Sequence, residues 1–158
     1  MADRNATQYS LLYLKALYFP IRGRSTQIEV PTLANGTERF PVVEAIMKKT
    51  ENVEVKRVLV LDQVGERSVE IFFRHSKSFD TNAAVKVSWA EFNWPGDLLV
   101  IQVGQSVDYV NLTSLNFGLT AVKVFLKRAI DTIAEAEAQG DGVASFAREL
   151  TLQDDDEL

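Results

Sequence analysis

The chain of 158 residues contains no cysteine. A protein without cysteine has no disulfide framework, no thiolate nucleophile and no Cys-ligated zinc or iron–sulfur site. Histidine is almost as scarce, because His75 is the only one. Acid–base catalysis near neutral pH usually draws on histidine, and a metal site usually needs more than one. We therefore expect no metal site and a histidine that lies at the surface.

The sequence also lacks the loops that mark nucleotide chemistry and nucleophilic catalysis. Its glycines are isolated, and none belongs to a GxGxxG or GxxxxGK[ST] motif. The serines of "GRS" and "NLTS" lie outside a nucleophile-elbow motif. No two acidic residues stand in a setting that marks a buried acid–base pair. These absences predict a protein that is not an enzyme and that needs no cofactor.

Long apolar runs are missing as well. The first ten residues are polar, and no run approaches the roughly 20 apolar residues that a membrane span requires. We therefore expect no signal peptide, no membrane partner and a cytoplasmic location, which includes the cytoplasm of a virus-infected cell. A hydrophobic content of 46% and a charged content of 25% are typical of an ordinary globular protein. A chain of this length is expected to form one domain.

The charge that is present is unevenly distributed. Residues 1–130 carry 16 Lys and Arg against 13 Asp and Glu, a net charge of +3. Residues 131–158 carry one Arg and nine acidic residues, a net charge of −8, and the chain ends "TLQDDDEL". This division predicts a single domain over residues 1–150 and an acidic tail over residues 151–158. It indicates either a nucleic-acid partner and a tail that competes with it, or simply a solvated terminus that favours solubility.

Two segments of the first third allow more than one structure. "YSLLYLKALYF", residues 9–19, is apolar almost all round, which suits a buried helix or a buried strand, and its Leu, Lys and Ala content favours a helix. Asn35-Gly36 lies between two apolar runs and predicts a tight hairpin turn. A competing pattern favours a short helix over residues 41–50.

Short runs of β-branched and aromatic residues follow, and turn residues separate them. They predict strands over residues 53–61, 67–73, 83–92, 98–103 and 107–113. The run "LLVIQV" at residues 98–103 is apolar on both faces, so it should lie in the middle of the sheet. Together these runs predict a twisted antiparallel sheet of about five strands.

The apolar period changes to 3.6 after Thr113. Apolar residues from Leu115 to Ala136 keep to one stripe, which predicts a long amphipathic helix that ends near Gly140. "VASFAREL", residues 143–150, predicts two further helical turns. The predicted fold class is α+β, with a long C-terminal helix packed on the sheet and a short N-terminal helix.

One group of residues suggests a binding surface. If residues 67–73 and 83–92 are strands, Phe72, Arg74 and Lys86 share an outward face, and Lys77 and Phe79 lie in the adjoining loop. Exposed rings stack on bases and neighbouring cations bind phosphates, so such a face is typical of single-strand binders. In the alternative interpretation the C-terminal helix covers this face and its rings belong to the core.

The acidic end of the chain fits the same hypothesis. A basic face followed by Asp154, Asp155, Asp156 and Glu157 resembles the arrangement in bacterial and phage single-stranded DNA-binding proteins. That resemblance implies a tail that recruits partners and competes with nucleic acid for the basic groove.

The sequence therefore leads to two hypotheses. The first is a non-enzymatic module that binds single-stranded nucleic acid on a sheet face. The second is a homo-oligomeric structural or adaptor protein, such as a virion component, because residues 9–19 are more apolar than one helix of a small domain needs.

Overall fold

The computed structural model describes residues 8–48, 53–62, 67–139 and 149–151. These residues form an α+β fold with an eight-stranded sheet. In chain order the elements are β1 (Ser10–Phe19), β2 (Thr26–Asn35), β3 (Glu38–Pro41), a 3-10 helix (Val43–Ala45), β4 (Lys56–Leu61), β5 (Ser68–Phe73), α1 (Ala83–Ser88), β6 (Leu98–Val103), β7 (Tyr109–Val110), α2 (Leu115–Gln139) and β8 (Glu149–Thr151).

The strand order is β3-β2-β1-β6-β5-β4-β8, and β7 lies off this path as a third partner of β6. Every pairing is antiparallel except that of β4 with β8. Strand β6 lies in the middle, as its two apolar faces predict. Strand β1 pairs with β6 only through residues 17–19. Residues 10–15 of β1 therefore diverge from β6. We call these residues, together with β2 and β3, the wing.

The sheet has an apolar core on each face. On the outer face α1 and α2 pack against residues that include Phe19, Ile71 and Val100. On the inner face the segment around Met47 packs against residues that include Leu14, Phe72 and Leu99. The sheet curls around this inner face.

The N-terminal segment is a strand and not the predicted helix. Nine residue pairs join β1 to β2. The two sides of β1 reach different cores, with Leu14 and Ala16 on the inner face and Leu17 and Phe19 on the outer face. A segment that is apolar on both sides fits a strand between two cores, and this burial outweighs the weak helix preference of Leu, Lys and Ala.

The structure also decides between the hairpin and the helix that the sequence predicts around residues 35–50. Asn35-Gly36 connects β2 to β3, and Gly36 has a φ of +61°, so the predicted hairpin turn is confirmed. The helix predicted over residues 41–50 is wrong as far as residue 48, since Pro41 ends a strand and only Val43–Ala45 forms a helical turn. Residues 49 and 50 lie outside the described part of the chain.

The strand predicted over residues 83–92 is instead the short helix α1. Asn82 precedes it, and its side-chain oxygen accepts a hydrogen bond from the backbone N–H of Val85 at 2.9 Å. Its amide nitrogen donates to the carbonyl oxygens of Phe19 and Gly96, at 3.0 and 2.7 Å. An asparagine N-cap favours helix at this point, whatever the alternation of the following residues.

The C-terminal helix is confirmed, and its stripe faces the outer core through Val122, Leu126, Ala129 and Ile133. The helical turns predicted over residues 143–150 are wrong at their end, because residues 149 and 150 belong to β8. Residues 143–148 lie outside the described ranges. The sheet also has more strands than the five predicted, since β1, β2, β3 and β8 join it and the predicted strand at α1 does not.

Candidate functional site

An open cleft of about 550 Å³ lies on the inner face of the sheet. Strands β3 and β4 are far apart in the strand order, yet both line this cleft because the sheet curls. We call it the inner cleft. Its lining includes Arg39 and Pro41 of β3, Arg57 and Leu59 of β4, Glu70 and Phe72 of β5, and residues 103–109 after β6. Its volume is in the range of sites that hold small ligands or short segments of polymers.

Arg39 reaches the inner cleft because of its register in the wing. It pairs with Ala34 of β2, which is buried, while its neighbour Phe40 points to the opposite face. The Arg39 backbone N–H donates to Asp108 Oδ2 at 3.3 Å. Its side-chain Nε is buried and has no hydrogen-bond partner in the described part of the chain. A buried donor of this kind favours an acceptor from a ligand.

Arg57 of β4 also lines the inner cleft. Its side chain is 68% exposed, and its Nη1 lies 3.6 Å from Glu70 Oε1. That oxygen also accepts a hydrogen bond from Tyr109 Oη at 2.8 Å. Burial, and then the hydrogen bond to Glu70, raise the pKa of Tyr109. Tyr109 therefore stays protonated and donates its hydroxyl hydrogen to Glu70. The ion pair between Arg57 and Glu70 is long and exposed, so it holds Arg57 only weakly.

The segment after β6 forms a fixed wall of the inner cleft. The backbone N–H of Gly104 donates to the carbonyl of Asp108 at 3.3 Å, and the N–H of Asp108 donates to that of Thr37 at 3.1 Å. A Cβ on Gly104 would stand 2.2 Å from the Val107 carbonyl oxygen. Glycine is therefore required for this close turn, which ties β6 to the β2–β3 hairpin.

Phe72 is the one predicted nucleic-acid residue that the structure places in the inner cleft. Its side chain is 7% exposed and belongs to the inner core with Leu99 and Ile101. The sequence predicts an outward ring, whereas this ring forms part of the cleft floor.

Arg74 is buried and already paired. Its Nε and Nη2 donate to the two carboxylate oxygens of Asp97, at 2.7 and 2.8 Å. Tyr18 Oη donates to the same carboxylate at 2.8 Å. Arg74 also donates to the Lys48 carbonyl. The expectation of an outward cation fails here, because Asp97 lies beside the end of β5 and takes both forks of the guanidinium.

The adjoining loop carries Lys77 and Phe79. Lys77 is exposed, and Phe79 is half-buried with its ring 5.3 Å from the guanidinium carbon of Arg74. His75, which the sequence predicts at the surface, is half-buried and its ring centroid is 4.8 Å from that of Trp94.

Lys86 lies on α1 and not on a strand. Its Nζ donates to the carbonyl of Ala90 at 2.9 Å. Helix α1 packs in the outer core through Ala84 and Val85, whereas Phe72 belongs to the inner core. The structure therefore does not bring Phe72, Arg74 and Lys86 to one face. The predicted tail residues Asp154, Asp155, Asp156 and Glu157 lie outside the described residues.

A second surface stands out on the outer side of the wing. Leu11, Leu33 and Phe40 form one row across β1, β2 and β3, and each is at least 40% exposed. Tyr13, which pairs with Pro31, forms the next row, and Tyr9 packs edge-on against Phe40 at 5.8 Å. We call this surface the wing face.

Sequence reasoning missed Arg39 and Arg57, although a signal existed for each. With the Asn35-Gly36 hairpin accepted, alternation after Gly36 places Arg39 and Phe40 on opposite faces. In "VEVKRVLVL" the same alternation places Arg57 with Leu59. What the pattern does not contain is the curl that brings these two strands to one cleft.

Neither metal binding nor membrane spanning has support in the described ranges. No three His, Asp or Glu residues of these ranges cluster as metal ligands do. No helix in them combines the length and the apolar character that crossing a membrane takes. No protein-family model, curated protein sequence or solved structure matches this chain.

Proposed function

We propose that the protein is a non-enzymatic binding module that holds single-stranded nucleic acid in the inner cleft. The observation that carries this proposal is the presence of two guanidinium groups, of Arg39 and Arg57, at one open cleft on a sheet face. Guanidinium forks match phosphate oxygens, and a sheet with an apolar floor leaves room for the bases.

Arg39 supports the proposal most directly. Its buried Nε lacks a hydrogen-bond partner in the described part of the chain, and an unsatisfied buried donor destabilises the folded state by about 1–3 kcal/mol. A phosphate oxygen bound there supplies the missing acceptor. Arg57 also lines the cleft, and its exposed side chain is accessible to a second phosphate.

The floor of the inner cleft provides surface for a base. Leu59, Phe72 and Tyr109 line the cleft. Bases stack on aromatic rings without regard to sequence, at roughly 1–3 kcal/mol per base. We therefore expect binding that depends little on the sequence of the strand.

The charges of the inner cleft predict weak salt dependence. Glu70 and Asp108 also line it, where they accept hydrogen bonds from Tyr109 and from the backbone of Arg39, so the lining contains as many acidic as basic residues. Two arginines that contact two phosphates give a slope of log affinity against log salt of about −1.4 for a single strand. The acidic tail, Asp154 to Glu157, competes with the strand for the same two arginines under this proposal.

Fluorescence anisotropy of labelled oligothymidylate at several salt concentrations tests the proposal. We expect Arg39→Gln and Arg57→Gln each to weaken binding at least tenfold, since a hydrogen bond to a charged group contributes roughly 1.5–3 kcal/mol. Each should also reduce the salt slope by about 0.7. Arg24→Gln, an equal charge change at an exposed residue that does not line the cleft, is the matched control.

Two results would overturn the proposal. One is the absence of oligothymidylate binding, and the other is an equal loss with Arg24→Gln. If the protein does not bind oligothymidylate but binds a QDDDEL peptide, and Arg39→Gln abolishes this binding, the cleft is a site for acidic peptides. Deletion of residues 153–158 should strengthen binding to the oligonucleotide.

A second candidate function is a structural or adaptor protein that assembles from copies of itself. The wing face favours it, because an exposed apolar patch of this extent is about as large as the largest one on a typical monomer and often marks an interaction site. Light scattering over a range of protein concentrations tests it, and a mass that stays monomeric throughout would rule it out.

A further inference from the structure

The wing face is large and apolar for an exposed surface. Five large side chains, Tyr9, Leu11, Tyr13, Leu33 and Phe40, are each 40–58% exposed. At 150–250 Å² for a fully open aromatic side chain, the three rings alone leave about 300 Å² in water, and Leu11 and Leu33 add to this area. Four of them lie in consecutive rows of three adjacent strands, and Tyr9, which precedes β1, packs against Phe40, so the patch is contiguous.

One end of the wing face carries two opposite charges. Lys15 of β1 and Glu29 of β2 are paired in register, one row beyond Tyr13 and Pro31. Both are exposed, and neither has an ion-pair partner within 4.0 Å among the described residues. The face therefore combines apolar rows with one cation and one anion that stand side by side.

We propose that the wing face binds the wing face of a second copy of the chain, around a two-fold axis that runs along the strands between β1 and β2. Such an axis exchanges the two strands. It places Leu11 of one copy over Leu33 of the other, and Lys15 of one copy over Glu29 of the other. Two sheets that pack face to face prefer strand directions within about 30° of each other, which this axis allows.

Area and charge both favour a second copy as the occupant. A stable interface buries about 800 Å² on each partner, and the apolar rows with the Lys15 and Glu29 rim approach that value. A two-fold interface must be complementary to itself, and a face with one Lys beside one Glu meets this condition. This inference rests on the second candidate function and is independent of nucleic-acid binding.

Charge reversal tests the proposed axis. Lys15→Glu gives a face with two anions, and Glu29→Lys gives a face with two cations, so each variant alone should dissociate at least tenfold more readily than the unmodified protein. An equimolar mixture of the two should associate again, as a heterodimer. Analytical ultracentrifugation measures the three dissociation constants, and a mass tag on one variant identifies the heterodimer.

Matched controls are available away from the wing face. Arg24→Glu and Glu44→Lys make the same charge changes at exposed residues that belong to neither wing strand face, and they should leave the dissociation constant within twofold. All four sites are exposed, so the variants should fold, which circular dichroism verifies.

Every outcome decides the matter. Weakened single variants with a restored mixture support the proposed axis. A dimer that none of these substitutions weakens, or a mixture that does not associate again, overturns the axis while the second candidate function stands. A protein that is monomeric at all concentrations overturns both, and leaves the nucleic-acid proposal untouched.

Discussion

The two ends of β1 differ although they share one strand and one side of it. Leu17 and Phe19 are at most 4% exposed, whereas Leu11 and Tyr13 are more than half exposed. All four side chains lie on the same side of β1, and all four are large and apolar. Alternation therefore tells which side of a strand is apolar, but not how far along the strand that side is covered.

The path of the chain before α2 explains the difference. The backbone N–H of Leu112 donates to the carbonyl of Lys15 at 2.9 Å, which fixes the chain beside the middle of β1. Helix α2 begins three residues later, and a Cβ on Gly118 would lie 3.5 Å from a methyl of Leu17. From there α2 packs over β5 and β6, so residues 10–15 of β1 receive no cover from it.

The largest expected effect compares one substitution at the two ends of β1. Leu17→Ala should reduce the free energy of unfolding by about 2–5 kcal/mol, because it leaves a cavity in the outer core. Leu11→Ala should change it by less than about 0.5 kcal/mol, because the side chain is mostly in water. Urea denaturation at a protein concentration low enough to avoid association measures both, and equal losses would refute the comparison.

The next effect concerns the hydrogen bond that Asn82 makes at the buried end of β1. Asn82 donates to the Phe19 carbonyl at the end of β1 and also caps α1. Asn82→Ala should lower the free energy of unfolding by about 2–3 kcal/mol, since it removes a helix cap and leaves buried carbonyls without donors.

Thermal and urea unfolding measure this loss. Asn116→Ala, the same change at an exposed residue of α2, is the control and should cause no loss. A loss at Asn82 no larger than at Asn116 would show that this hydrogen bond does not hold the end of β1.

The smallest effect appears at alkaline pH and involves the inner side of β1. Burial, and then the charge of Asp97 and its hydrogen bond, raise the pKa of Tyr18 above its usual value of 10.0. The folded protein therefore keeps the Tyr18 proton at a pH at which the unfolded chain releases it. The contribution of Tyr18 to stability is complete below about pH 10 and is lost as the pH rises further, by about 1.4 kcal/mol per pH unit.

Unfolding midpoints between neutral pH and pH 11 test this expectation. Tyr18→Phe should make the alkaline loss of stability less steep, whereas Tyr13→Phe on the exposed wing face should leave the loss as it is. Identical alkaline slopes in the two variants would contradict the role of Tyr18.

The fold class could be predicted from local pattern, but only part of the candidate site could. The apolar stripe of α2 and the apolar run of β6 each extend over several residues. Such long patterns predict the element even where single residues are ambiguous. Helix α1 is only six residues long, and a single N-cap at Asn82 decided it against the alternation. Of the predicted binding residues only Phe72 lines the inner cleft. Arg74 is held away from the cleft by its ion pair with Asp97, and Lys86 lies on a helix instead of the predicted strand.

The sequence by itself determined the absence of thiol chemistry, the hairpin turn at Asn35-Gly36 and the amphipathic character of α2, because each depends on residue type or on near neighbours. Only the tertiary structure decided that residues 10–19 form a strand, that Arg39 and Arg57 share a cleft and that the other described segments leave the wing face exposed. The helix and strand preferences of single residues differ by only a few tenths of a kcal/mol. Strand pairing and burial between distant segments contribute several kcal/mol, so these distant contacts prevail.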